Sequence, residues 1–468
     1  MTWELINLEE DKLKEECGVF GVLSNDDLPV SKMTYYGLYA LQHRGQESAG
    51  IAVARDGEIH SYKDMGLVTE VFDEEILDEL TGSAAIGHVR YSTAGDSLKC
   101  NAQPLLTHGK LGSMAIAHNG NLTNADTLRD LLQECGFIFQ STTDSEVILG
   151  LIARYANKGI DKAIFNAMQV VKGSFAIVIL TKDKLIGVRD TNGIRPLCIG
   201  KVKNSYILSS ESCALDAIGG EFVRDVNPGE IVIIDKNGIK SINPVEKAPC
   251  GTCAFEYIYF ARPDSIIDGI NVYESRVRAG AILYEESPID ADIVVGVPDS
   301  GIPAAVGYAK AANIPYETAF VKNKYVGRTF IAPTQEMREM AVALKLNPLK
   351  SVVQGKRVVL IDDSIVRGTT SKKLVQLLRK AGAKEVHFRI SSPVVKYPCY
   401  FGIDTPYRSQ LIGANNSINE IAEIIGADTV GYLSIEGILK AFNKESGFCL
   451  GCFDGEYPVA PPFEASID

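Results

Sequence analysis

Apolar and polar positions are patterned in two different ways along this 468-residue chain. From residue 17 to about residue 245, strand-like runs and helical stretches mix without a regular order. Cys17-Gly18-Val19-Phe20-Gly21-Val22-Leu23 reads as the first strand. Two pairs of apolar runs are split by polar turns, Lys182-Asp183-Lys184 within 175–188 and Asn237-Gly238 within 230–242, and read as β-hairpins. Apolar residues at helical spacing predict helices over 34–42, 124–135, 144–155 and 161–171. Hairpins and helices segregated in this way indicate an α+β layered domain with antiparallel sheets.

Near residues 244–249 the pattern changes. Runs at 293–297, 358–361 and 386–390 are strand-like with helical segments between them, the α/β alternation of a mostly parallel sheet. The clearest unit is Val358-Val359-Leu360-Ile361-Asp362-Asp363-Ser364-Ile365-Val366-Arg367-Gly368-Thr369-Thr370-Ser371. Four apolar residues in a row read as a strand buried on both faces. The run stops at two vicinal carboxylates, and Leu374, Leu377, Leu378 and Ala381 then recur at helical spacing until Gly382. Strand, acidic pair, turn and helix form half of a βαβ unit. Its loop lies at the carboxyl edge of the sheet, where open α/β sheets bind ligands. The expected organisation is a leader over 1–16, domains over 17–245 and 246–455, and a tail over 456–468.

Composition narrows the function. The net charge of −12 provides no basic field for nucleic acid, so a polyanionic substrate must be met by local donors. No apolar run approaches the ~20 residues needed to cross a bilayer. The first sixteen residues hold six acids and two lysines with no apolar segment, which is not a secretory signal. Ten cysteines without an export signal argue for the reducing cytoplasm, and for thiol or metal chemistry rather than disulfides.

The acidic-pair loop is suited to a phosphorylated sugar. Gly368 lets the backbone approach a phosphate, and the helix start with the Thr369, Thr370 and Ser371 hydroxyls supplies donors. Asp362 and Asp363 accept hydrogen bonds from ribose hydroxyls or hold Mg²⁺. Read alone, an Asp-Asp turn before a helix is equally an ordinary solvated loop. The whole string resembles the phosphoribosyl pyrophosphate (PRPP) signature of type I phosphoribosyltransferases. That resemblance implies that the carboxylates hold the ribose hydroxyls and that Arg367, Gly368, Thr369, Thr370 and Ser371 cradle the 5-phosphate. It also implies that the turn Pro298-Asp299-Ser300-Gly301 faces the pyrophosphate, with Ser300 beside Asp362 and Asp363 at a Mg²⁺ site. Lys322-Asn323-Lys324-Tyr325-Val326-Gly327-Arg328-Thr329-Phe330-Ile331 is basic in an acidic chain. It is either a solvated surface loop or a lid that keeps water from the pyrophosphate. Lys324 and Arg328 are the candidates for contacts to that leaving group.

A cysteine opening an apolar strand is ordinarily a core thiol. Cys17 gains weight from four polar strings downstream: His43-Arg44-Gly45-Gln46-Glu47-Ser48, Gly87-His88-Val89-Arg90-Tyr91, His118-Asn119-Gly120-Asn121-Leu122 and Thr143-Asp144-Ser145-Glu146. Together they resemble the glutaminase domain of the amino-terminal-nucleophile amidotransferases, which implies an αββα sandwich. The same resemblance implies that Cys17 attacks the glutamine amide, that Asn119 and the Gly120 N–H form the oxyanion hole, and that Arg90 and Asp144 hold the substrate's α-carboxylate and α-amine. An α-amine titrates near pH 8 and a thiol near 8.5, so the amine of Cys17 could serve as its base once the leader is cleaved after Glu16. A histidine-based thiol site using His43, His88 or His118 is the rival, although the motifs set those residues beside the catalytic set.

Cys250-Gly251-Thr252-Cys253 and Cys449-Leu450-Gly451-Cys452 predict, from spacing alone, a tetrahedral Zn²⁺ site. Over residues 1–455 the chain resembles the glutamine PRPP amidotransferases. In their cluster-bearing branch the ligands of a [4Fe–4S] cluster match Cys253, Cys399, Cys449 and Cys452, which leaves Cys250 unligated. The family further implies 5-phosphoribosylamine as product, feedback inhibition by purine nucleotides, ammonia transfer through a protected channel, and homo-oligomers, dimeric or tetrameric. Two other readings have discriminating features. A sugar-isomerizing amidotransferase lacks the PRPP string, and a PRPP-sensing regulator carries a DNA-binding segment.

Overall fold

The computed structural model describes residues 17–91, 98–243, 248–322, 346–403, 405 and 407–462. Two antiparallel sheets build the amino-terminal half. The first runs, in spatial order, Glu221–Asp225, Cys198–Val202, Ser205–Ser209, Gly18–Leu23, Ala84–Arg90, Ser48–Arg55 and Glu58–Met65. The second runs Gly238–Ile242, Ile231–Asp235, Leu185–Arg189, Gly173–Thr181, Gly112–Leu122 and Leu105–Gly109. Val19, Ile86, Ala115, Ala117, Val178, Leu185 and Leu208 close the dry layer between the sheets. The outer face of the first sheet is covered by the helix Val30–Ala40, and that of the second by Ala125–Glu134, Asp144–Arg154 and Ile160–Met168. This is an αββα sandwich, and both expected hairpins are in it. The second turns at Lys236-Asn237, with Gly238 already paired to Asp235.

The helix expected over 34–42 begins earlier, at Val30. Its first turn follows Pro29, and Ser31, polar in the sequence, is buried with its hydroxyl donating to the Leu77 carbonyl at 3.0 Å. An inward-facing serine breaks the apolar period that would have marked the start.

The carboxyl-terminal half is built on a parallel sheet of Ile293–Gly296, Arg357–Asp362, Glu385–Ile390 and Thr429–Tyr432. Val358 and Leu360 enter one apolar layer while Val359 and Ile361 enter the other, so both faces are covered and the run reads as unbroken hydrophobic sequence. The fourth strand was not expected. It has four residues, one of them Gly431, and three of the four are only half-buried. On one face the helices Val272–Glu286 and Ile302–Ala312 cross backbone to backbone. A Cβ on Gly280 would stand 1.8 Å from the Ala304 carbonyl oxygen, and one on Gly307 would stand 1.9 Å from that of Val277.

Because the obstacle is main chain, the two helices must move apart to accept a methyl group. Gly280→Ala is expected to lower unfolding stability by about 1–3 kcal/mol. A urea midpoint equal to that of the parent chain would contradict this packing.

Candidate active site

The first site forms where the two antiparallel sheets meet. Cys17 lies one step beyond the Gly18–Val89 pair, at the end of its sheet that also carries Arg90. Its thiol donates to the Tyr91 carbonyl at 3.5 Å. Burial pushes that thiol up to about 11, against the Tyr91 hydrogen bond and the positive charge of Arg90. The expectation of a thiol titrating near its ordinary value is therefore corrected. At neutral pH the sulfur holds its proton, and attack requires a base. Arg90, Asp144 and Arg44 all lie close enough to bias the Cys17 charge.

Asn119 and Gly120 come from the facing sheet, paired with Ala176 and Phe175. The Asn119 side chain is fully buried, and both its amide nitrogen and its oxygen lack a partner among the described residues. Buried amides are normally satisfied, so this one marks a place where a ligand atom completes the set. Asp144 starts the helix Asp144–Arg154 and accepts the Leu122 N–H at 3.0 Å, which ties it to the end of the Asn119 strand. Burial alone would raise its carboxyl. The charge and hydrogen bond of His118, with backbone N–H donors, outweigh that and hold it below the usual range.

The three histidines have other occupations. His43 bonds Glu211 at 2.7 Å, His118 bonds Ser145 at 3.0 Å, and His88 is held to the His118 carbonyl at 3.0 Å. None of these bonds involves Cys17.

The second site sits at the carboxyl edge of the parallel sheet. Asp362 ends the central strand and Asp363 follows it, both buried, with the Asp363 N–H donating to Asp362 at 2.9 Å. Ser300 reaches across from the loop after Ile293–Gly296 and donates its hydroxyl to Asp363. Gly368 stands before the helix Thr369–Lys380 at φ +85, a left-handed conformation, and a Cβ there would meet Ile412 at 2.7 Å. Thr370 and Ser371 are buried in the first turn of that helix. Lys322 pairs with Asp299 of the Ser300 loop at 2.8 Å. Lys324 and Arg328 lie outside the described residues.

Comparison with known proteins matches residues 88–217 to a glutamine amidotransferase domain and residues 274–391 to a phosphoribosyl transferase domain. An amidophosphoribosyltransferase of Synechocystis sp. is 52% identical over 97% of this chain and 92% of its own length. One of Methanocaldococcus jannaschii is 50% identical over 96% of this chain and 98% of its own. The chain belongs to the amidophosphoribosyltransferases. A solved structure described as glutamine PRPP amidotransferase from B. subtilis complexed with ADP and GMP superposes with a TM-score of 0.91, at 47% identity over 96% of this chain and 99% of that one. The phosphoribosyl transferase domain stands where a sugar-isomerizing enzyme has none, and these full-length relatives are enzymes rather than regulators.

Between the two sites of this amidophosphoribosyltransferase lies a charge network that sequence reading missed. Arg44, fully buried, donates from Nε to the Cys17 carbonyl at 3.1 Å. Its other nitrogens reach Glu211 at 2.6 Å and both oxygens of Glu256 at 2.9 and 2.7 Å. Glu211 also accepts the Ser265 hydroxyl and the Arg262 N–H at 2.6 and 2.9 Å. The only sequence signal was that Arg44 belongs to one of the polar strings around Cys17.

The cysteines expected as cluster ligands come from three segments of the carboxyl-terminal half. Cys253 and Cys449 are neighbours across a short parallel pair, and Cys452 is in the helix just after it. Cys399 accepts the Phe401 N–H at 3.3 Å. Burial raises the thiols of Cys253, Cys449 and Cys452, the second to about 12, and mutual repulsion adds to this. Cys452 senses Cys449, Cys253 and Cys399 alike. Cys250, expected to stay unligated, is exposed. No cysteine is in a disulfide. Among the described residues no three His, Cys, Asp or Glu side chains close on a common metal position. As a donor set the four thiols nonetheless suit a soft metal centre: all are thiols, from three separate chain segments, and burial desolvates Cys253, Cys449 and Cys452. No helix in the described residues is long and apolar enough to cross a membrane.

His88 gives this region a pH signature. Burial depresses its imidazole to about 3, so folding holds it neutral, while in the unfolded chain it titrates near 6.5. Its contribution is complete above pH 6.5 and drains away as pH falls from there toward 3, because the unfolded chain takes up the proton first. Urea midpoints of His88→Gln are expected to fall less steeply than the parent's across that interval. Parallel profiles would refute it.

Proposed function

We propose that the two sites run as one synthesis, with Cys17 as the nucleophile of the first and Asp362 and Asp363 as the sugar-holding groups of the second. As an amidophosphoribosyltransferase the chain converts glutamine, PRPP and water into 5-phosphoribosylamine, glutamate and pyrophosphate, the committed step of purine nucleotide synthesis. The observation that carries the residue assignment is the buried Asn119 amide without a partner, on the strand that faces Cys17.

In the glutaminase site Arg90 takes the substrate α-carboxylate and Asp144 the α-amine. The Cys17 sulfur adds to the side-chain amide carbon, and the oxygen that gains charge is met by Asn119 and the Gly120 N–H. A thiol raised by burial needs its proton removed during attack. The α-amine of Cys17 is the base at hand once the chain is cleaved after Glu16. Ammonia in neutral water is mostly protonated and inert, so passage between the sites by a protected route follows from the chemistry.

In the phosphoribosyl site Asp362 and Asp363 accept the ribose hydroxyls, and Arg367 to Ser371 with the helix start receive the 5-phosphate. The loop of Ser300 faces the pyrophosphate, and Lys324 and Arg328 are assigned to its lid. Ser300, Asp362 and Asp363 would hold Mg²⁺, which neutralises charge on the leaving pyrophosphate when bound. Cys253, Cys399, Cys449 and Cys452 would hold a [4Fe–4S] cluster, a structural joint because neither half-reaction moves electrons. Purine nucleotides as feedback inhibitors, a homo-oligomer and a cytoplasmic location complete the reading. The ADP and GMP of the Bacillus structure support the first of these.

Cys17→Ala is expected to abolish glutamine-dependent synthesis while ammonia-dependent synthesis survives, and Asp363→Asn to damage both. Asn119→Ala should cost glutaminase turnover roughly 10²–10³-fold. Loss of the ammonia reaction in Cys17→Ala would overturn the division of labour. Metal analysis of anaerobically purified protein should return iron and sulfide together. Stoichiometric zinc without iron would remove the cluster.

A further inference from the structure

The oxyanion strand does not end inside its own half of the molecule. Directly after Asn119 and Gly120, the Asn121 side-chain amide donates to the Tyr400 carbonyl at 3.0 Å. The Asn121 backbone N–H donates to the Ser174 hydroxyl at 3.3 Å, and that hydroxyl donates to the Phe401 carbonyl at 2.7 Å. Ser174 is fully buried and Phe401 nearly so. Arg195 donates to the same Phe401 carbonyl, and its other branch lies 3.5 Å from Glu256, the partner of Arg44. The surfaces are in contact: a Cβ on Gly402 would stand 3.2 Å from the Gly120 carbonyl carbon.

We propose that Asn121 and Ser174 are positioning residues of the glutaminase reaction, fastening the oxyanion strand to the Tyr400-Phe401 backbone of the phosphoribosyl half. The reasoning is geometric and rests on the assignment of Asn119 and Gly120 given above. A peptide unit is planar, so pinning the Asn121 N–H also fixes the Gly120 carbonyl, which anchors the carboxyl side of the residue whose N–H is the donor. Oxyanion donors act only when held close to the place where charge develops, and a small rotation of that strand withdraws both of them. Ser174 is fitted to the task because one hydroxyl accepts from the strand and donates across the domain boundary. The two carbonyls that receive these bonds belong to the two residues directly after Cys399, so the segment carrying that thiol is also the wall that sets the glutaminase geometry.

The test uses full-length processed enzyme with Asn121→Ala, Ser174→Ala and the double variant. Glutamine-dependent kcat is expected to fall about tenfold in each single variant, the size of one well-placed hydrogen bond, with KM for glutamine within about twofold. The double variant should lose less than the product of the singles, because both bonds hold one peptide. Ammonia-dependent synthesis and the rate of Cys17 alkylation by iodoacetamide should stay within about twofold of the parent, which a general folding defect would not permit. An unchanged glutamine kcat, a loss confined to KM, or a loss shared by the ammonia reaction would each overturn the proposal. Cys17→Ala serves as the control. If it kept glutamine-dependent synthesis, the nucleophile assignment itself would fall, and this inference with it.

Discussion

A guanidinium without access to water holds this molecule together. Arg44 sits between Glu211 and Glu256, one carboxylate from the glutaminase half and one from the opening of the phosphoribosyl half, while its third direction holds the carbonyl of Cys17. Charges taken out of water are tolerable only when hydrogen-bonded on every side. Removing one member of such a set generally costs about 3–5 kcal/mol, because the survivors stay buried and uncompensated. Cys17 therefore has a main-chain position that depends on both halves being docked. The fork geometry of arginine suits this role, since a compact ammonium could not meet two carboxylates and a carbonyl in fixed directions.

A second boundary contact repeats the logic with another buried ion pair. Arg189 meets both oxygens of Asp268 at 2.7 and 2.8 Å, and Asp268 also accepts the Thr252 hydroxyl at 2.8 Å. The interface between the halves is thus polar and specific rather than a greasy seam. It fixes the placement of the two halves relative to each other.

The architecture was legible where local pattern carries it. The Val358–Ile361 run could be read as a doubly covered strand because every residue in it is apolar, and Gly368 could be read as a turn residue because its left-handed backbone favours glycine. Cys17, Asn119 and Asp144 were legible only as strings matched to a family, since nothing in their spacing says that one sheet faces another. Arg44 to Glu256, Asn121 to Tyr400 and Ser174 to Phe401 span 212, 279 and 227 residues, and no periodicity reports on partners so far apart. Short half-exposed elements such as Thr429–Tyr432 were lost for the opposite reason, having too few apolar positions to form a pattern.

The short pairing of Thr252–Cys253 with Phe448–Cys449 has a bearing on how the enzyme is made. Every strand of the sandwich lies before residue 243, so all of them are synthesised long before the carboxyl-terminal thiols exist. Glu256 follows soon after the last of those strands, but Tyr400 and Phe401, which the Asn119 strand leans on, come much later. Vectorial synthesis thus makes the sandwich first and withholds the Tyr400 and Phe401 contacts of its Asn119 strand until most of the second half has been made.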